Sequence, residues 1–240
     1  MDLLSTFIPD ARTAGLLIPA AAIYTALAAS LAGWLRTRRG VRAPYTRKIF
    51  HFTIFTVAVL VHLGFGSAGV AVYGSVVALG VLYATVRGDG FAFYEAMARP
   101  TDAPRRTLFI LVPLVTTALG GVLGNVFFGD FAMVGYLVAG WGDAVGEPVG
   151  TRWGRHRYRV PSLAGVPSTR SLEGSGAVLL LGTLAATAVL LAWGHGATTA
   201  ITAGVACGVA GALTEAVSTH GLDNLTVQLV ATATAAWLLG

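Results

Sequence analysis

The segment Arg47-Lys48-Ile49-Phe50-His51 gathers two cations and an imidazole in consecutive turns of chain. Helix positions three and four apart share a face, so the three polar side chains would point the same way. Such a group suits a polyphosphate, since Arg grips phosphate oxygens bidentately. It equally suits a basic anchor at a cytoplasmic helix end, followed by a packed histidine.

A second segment runs Gly140-Trp141-Gly142-Asp143-Ala144-Val145-Gly146-Glu147-Pro148-Val149-Gly150-Thr151-Arg152-Trp153-Gly154. Gly142, Gly146, Gly150 and Gly154 recur every fourth residue, a stripe that lets another backbone approach closely. Asp143 and Glu147 repeat at the same interval and face one way. Pro148 removes a helical hydrogen bond, so the helix is expected to kink or end nearby. An aspartate beside glycines at a broken helix end suits magnesium, which takes one or two carboxylates together with substrate phosphates.

In Thr169-Arg170-Ser171-Leu172-Glu173-Gly174-Ser175, Ser171 reads as a helix cap with Glu173 in the first turn. The same residues offer a cation for phosphate and a carboxylate for a metal or a proton. Further on, Glu215 precedes Ser218-Thr219-His220-Gly221-Leu222-Asp223-Asn224-Leu225-Thr226. Asp223-Asn224 looks like the cap of a following helix, whereas Glu215 lies at the unfavourable, C-terminal end of its own.

The elements that must position these groups are membrane helices. Hydrophobic residues make up 55% of the 240 positions and charged residues only 11%, where a soluble domain carries about 25% charge. Apolar blocks of near-spanning length place helices at approximately 14–35, 48–65, 68–86, 107–127, 130–149, 173–193, 197–217 and 224–239. The last is short for a crossing. Gly-rich turns at Gly64 to Gly66 and at Gly129-Asp130 separate neighbouring spans. The expected architecture is an all-α, polytopic bundle of about eight helices, forming one integral membrane domain over 1–240 with its N-terminus outside.

Charge supports that topology. With this orientation, fifteen of the sixteen Lys and Arg fall in loops on one face, leaving Arg12 opposite. The positive-inside rule makes that face cytoplasmic. It also accounts for the net charge of +5, which in a soluble protein would raise nucleic acid as a partner. Asp143, Glu147, Glu173, Glu215 and Asp223 sit near the same cytoplasmic helix ends, which points to an interfacial site for a metal and phosphates, or else to a solvated rim. The 87–106 stretch mixes Phe91, Phe93, Tyr94 and Met97 with charge and reads as an interfacial helix or a loop. Cys207, the single cysteine, lies in an apolar block, so no internal disulfide forms. The acidic start, with Asp2 and Asp10, argues against a cleaved signal peptide.

In order and combination, the four segments resemble the polyprenol kinase family of dolichol, phytol and farnesol kinases and CTP-dependent diacylglycerol kinase. The resemblance covers about Arg47 to Thr226. It implies transfer of the terminal phosphate of CTP to a membrane-dissolved alcohol with a divalent metal, Mg2+. Carried over residue by residue, Arg47, Lys48 and His51 match the basic motif, and Gly142, Asp143, Gly146 and Gly150 the Gly-Asp motif. Arg170, Ser171, Glu173, Gly174 and Ser175 match the Glu-Gly-Ser motif, and Glu215, Asp223 and Asn224 the last. Arg170 departs from the family's frequent Lys, and Glu147-Pro148 stands where many members have small or apolar residues.

On that resemblance, Asp143 with Glu173 or Glu215 would hold magnesium, and Arg47, Lys48 and Arg170 would cradle phosphates. A remaining carboxylate or His51 would take the alcohol's proton. No Walker loop or protein-kinase signature offers another phosphate cradle. A CDP-lipid synthase would share CTP, magnesium and a lipid, but its aspartate-rich C-terminal motif is not evident. A transporter would place its polar groups near the bilayer midplane and show repeats. The composition points to a prokaryotic plasma membrane.

Overall fold

A computed structural model describes residues 6–163, 166–219 and 221–240. It is helical throughout except for one β-hairpin: α1 (Ala11–Thr37), α2 (Ala43–Arg87), α3 (Ala92–Met97), α4 (Leu108–Phe128), α5 (Ala132–Trp153), β1 (Arg157–Leu163), β2 (Val166–Ser171), α6 (Leu172–Ala192), α7 (Ala197–Val217) and α8 (Asp223–Leu239). Five stretches are long and apolar enough to cross a membrane: α1, α2, the run Leu108–Trp153, α6 and α7. The chain is a multi-pass, all-α membrane protein.

The expected turns are present, but as breaks inside longer helical runs. Within the 45-residue α2, Gly66 alone leaves helical geometry, at φ 61° and ψ −161°. A left-handed φ is sterically cheap only without a Cβ. Between α4 and α5 lies a single 3-10 turn, Gly129–Phe131. The last expected span is the 17-residue α8, which falls below the length of the five.

The chain forms two compact units, residues 1–114 and 115–240. In the first, α3 packs on α1 and α2. Phe93, Tyr94, Ala96 and Met97 of α3 are buried in a core with Phe50, Tyr73 and Val81 of α2. Thr46 ties the start of α2 to α3 by donating to the Ala96 carbonyl at 2.7 Å. Of the two readings left open for 87–106, the stretch forms the short helix α3, and its aromatic residues pack into the core of the first unit. Tyr24 and Tyr73 donate to the carbonyls of Thr53 and Ile54, each at 3.0 Å, bracing the first half of α2.

In the second unit, α5 is central: every residue from Ala132 to Gly140 is buried, against α6 and α8. Small residues set the spacing. A Cβ at Gly142 would lie 3.1 Å from Val178 Cγ1, and one at Gly146 would lie 2.5 Å from Val178 Cγ2. The glycine stripe is thus the seat of α6, as its spacing predicts. Pro148 does not end the helix, which runs on to Trp153. Asp143 consequently sits about three turns inside α5 rather than at a broken end.

Candidate active site

The hairpin decides which side chains converge. Arg157-Tyr158-Arg159-Val160 alternates in strand fashion, and β1 pairs antiparallel with β2 so that Tyr158 stands opposite Arg170. Directly opposed residues share one face of a ribbon. That face turns to α6 and α7: Tyr158 OH lies 2.7 Å from Ser175 Oγ, and Arg170 reaches Glu215 and Asp223.

Ser171 closes β2 and caps α6 by accepting from the Gly174 amide at 3.1 Å. The cap fixes the first turn of α6, so that Ser175 points at the end of α7. A Cβ at Gly150 would sit 3.0 Å from Ser171 Oγ, and one at Gly174 would sit 2.9 Å from the Gly146 carbonyl. Gly150, Gly174 and Ser171 therefore shape the junction of α5 and α6. Glu173, on the outer side of that turn, accepts from His156, whose Nδ1 is 2.8 Å from Oε1.

At the centre, one guanidinium serves two carboxylates. Arg170 Nη1 pairs with Glu215, and Nη2 donates to Asp223 Oδ2 at 2.9 Å and to the Ser218 carbonyl at 3.1 Å. Glu215 and Asp223 are buried and Arg170 is nearly so, at 8%, 4% and 11% side-chain exposure. Asp223 is also held through Oδ1, which accepts from the amides of Gly221 and Asn224 at 3.0 Å each. Leu222 is the residue before α8, and Asp223 opens the helix itself, one position later than a cap. Asn224 turns inward and donates to Thr117 Oγ1 at 2.9 Å. Ser175 Oγ stands 3.5 Å from Glu215 Oε2, completing a chain from Tyr158 through Ser175 to the carboxylate.

The sequence pattern named Arg170, Ser175, Glu215 and Asp223, and the second unit brings all four together. Both Nη atoms of Arg170 are engaged by protein oxygens. Tyr158 and His156 were not foreseen. The alternation of 157–160 was the available signal, masked by Pro161 and Pro167; prolines are tolerated at the edges of a two-stranded ribbon. In the first unit, Lys48 is buried at the start of α2, and His51 packs on Phe55 with tilted rings whose centroids are 4.5 Å apart. Arg47 Nη1 is buried with no hydrogen-bond partner among the described residues.

Among the described residues no three His, Cys, Asp or Glu side chains converge as a metal cluster. Magnesium asks for fewer, keeping its waters and taking one or two carboxylates beside substrate phosphates. Asp143 and Glu147, one turn apart on α5 and both half-buried, supply such a donor pair. The chemistry of the donor set fits the ion.

Helices of spanning length that carry an arginine–carboxylate cluster where a hairpin meets three helix ends define a polytopic membrane protein with a buried ionic site. A curated phytol kinase from Synechocystis sp. (strain ATCC 27184 / PCC 6803 / Kazusa) is 32% identical over 193 residues, covering 78% of this chain and 76% of the relative. The chain belongs to the polyprenol and phytol kinase family. No family model and no solved structure matches it.

Proposed function

We propose that this protein is a kinase that transfers the terminal phosphoryl group of CTP to the hydroxyl of a membrane-dissolved isoprenoid alcohol of the phytol class. The site would face the cytoplasm of a prokaryotic cell. The observation that carries this reading is the buried Arg170–Glu215–Asp223 cluster with Ser175 at its edge, in a chain whose relative is a phytol kinase. Burying three ionised groups is a poor way to stabilise a fold, because desolvation offsets much of their attraction. Retaining them makes sense as fixed electrostatics for a reaction.

Phosphoryl transfer asks the protein chiefly for positioning and charge neutralisation. The alcohol oxygen forms a bond to the γ-phosphorus while the bond from that phosphorus to the β–γ bridging oxygen breaks, leaving CDP. The alcohol proton goes to a carboxylate, and Glu215, reached through Ser175, is suited to receive it. Arg170 holds Glu215 and Asp223 in place and balances one of their two charges. Asp143, with Glu147 a turn away, would hold magnesium, which when bound draws negative charge off the phosphates.

The test is label transfer by the purified protein in lipid and detergent with magnesium. It would receive γ-labelled CTP and ATP in parallel, with phytol, farnesol, polyprenol and diacylglycerol. Label in an isoprenoid monophosphate from CTP is the expected result. Pyrophosphate release from α-labelled CTP with a phosphatidate-type acceptor, and no monophosphate, would replace the kinase by a CDP-lipid synthase.

A further inference from the structure

We propose that the acceptor alcohol enters by a cleft between β1 and helices α6 and α7, with its hydroxyl seated at Tyr158 and Ser175. This rests on the kinase reading and assigns the acceptor end of the same site. The cleft holds about 640 Å³, within the roughly 300–1,000 Å³ of small-molecule sites. Its walls are Leu172 and Leu179 of α6 and Leu213 and Val217 of α7, all lining the cavity and all exposed. Four exposed aliphatic side chains on membrane-spanning helices make a surface that a hydrocarbon chain covers without losing any hydrogen bond.

Polarity is confined to a few groups. Tyr158 and Ser175 both line the cleft, and their oxygens lie 2.7 Å apart. Each hydroxyl both donates and accepts, so the pair can receive a third hydroxyl and satisfy it. Ser175 also reaches the Glu215 carboxylate, which gives the alcohol's proton a route: alcohol to Ser175 Oγ, and the serine's own proton to Glu215. Arg159 and Val160 of β1 close the cavity on the hairpin side. An amphiphile with one hydroxyl on an aliphatic chain matches this distribution. Tyr158 contacts the hydroxyl directly in this scheme and, with Ser175, sets its orientation.

Gly176 provides a direct test. It lines the cleft, and a Cβ built there meets nothing within 4 Å, so a larger side chain fills the cavity without disturbing packing. Gly176→Leu is expected to raise KM for phytol about tenfold or more, the loss of roughly 1.4 kcal/mol of binding, with KM for CTP unchanged. Tyr158→Phe is expected to raise KM for phytol several-fold, with a smaller change in kcat. A phytol analogue bearing a diazirine at the tail is expected to label Leu179 or Leu213 in the wild-type chain, and to label Gly176→Leu much less.

The outcomes separate the two readings. Labelled cleft residues without phosphate transfer to any alcohol would remove the kinase and keep the cleft as an alcohol site. Phosphate transfer with no label in the cleft, and with Gly176→Leu kinetics like wild type, would remove the cleft and keep the kinase. A diacyl phospholipid probe labelling the same residues as strongly as the phytol probe would also overturn the proposal, since the cleft would then be a seat for bulk lipid.

Discussion

Each unit contains one arginine shared by two carboxylates, and the two groups have opposite surroundings. In the first, Arg106 donates to Glu95 Oε2 at 2.7 Å and to Asp89 Oδ1 at 2.6 Å, with Asp89 77% exposed. These residues lie within one short connection and fold it onto itself. In the second, Arg170, Glu215 and Asp223 are buried or nearly so and come from the end of β2, the end of α7 and the start of α8. Local, partly solvated pairs contribute about 0–1 kcal/mol each and tidy a loop. A buried set drawn from three elements carries a desolvation cost that a loop clasp never meets. Under the proposed function, the same three residue types serve structure in one place and the electrostatics of a reaction in the other.

The sharpest way to break this contrast is to neutralise one carboxylate in each group. Glu215→Gln is nearly isosteric, keeps a hydrogen-bonding side chain beside Arg170 and removes the proton acceptor. Phosphoryl transfer is expected to fall by about 100-fold or more, on the scale of losing one preorganised electrostatic group at an active site. Asp143→Asn is expected to lose as much while the chain elutes as a folded, monodisperse species. Glu95→Gln is expected to leave the rate within about twofold. Equal rates for Glu215→Gln and Glu95→Gln would make both groups structural.

Removing the arginines comes next. Arg170→Met strands two buried carboxylates, and the expected loss is about 3–5 kcal/mol, read as earlier thermal unfolding in detergent. Arg106→Met leaves Asp89 in water and Glu95 mostly covered, and about 1 kcal/mol is expected. Arg170→Lys sharpens the point. An ammonium keeps the charge but lacks the planar fork that spans Glu215, Asp223 and the Ser218 carbonyl together. Stability should lie between wild type and Arg170→Met.

The contrast also explains what the sequence could show. Spanning helices were legible because apolar length and loop charge are properties of consecutive residues. So was the glycine stripe of α5, whose partner turned out to be Val178 and Gly174 of α6. The four clustered residues Arg170, Ser175, Glu215 and Asp223 stood out by type and position. Their pairing did not, because it depends on a hairpin that folds Arg170 back over the end of α7 from 45 residues away. Pro161 and Pro167 hid those strands, and with them Tyr158. The aromatic residues in 87–106 left two readings open, since beside charges they suit an interfacial helix or a loop, and only the packing against α1 and α2 places them in a core.

The smallest expected effect concerns pH and belongs to the loop clasp alone. Burial by itself would raise the Glu95 pKa, but the hydrogen bonds from Arg106 and the Gly90 amide, with the charges of Arg106 and Arg36, outweigh it and hold the carboxyl below its usual range. A depressed folded-state pKa stabilises the fold fully above the unfolded value of about 4.3, and that contribution disappears as pH falls through the folded pKa. Wild type should thus lose thermal stability steadily below about pH 4.3. Glu95→Gln should lack that part of the slope, a difference of about 1 kcal/mol or less for a clasp partly open to water. The variant would start lower at pH 7 and approach wild type in acid. Parallel curves for the two proteins would mean that the clasp adds nothing to the folded state, and that Arg106 is held by packing on Tyr94, whose ring centre lies 5.3 Å from its guanidinium carbon.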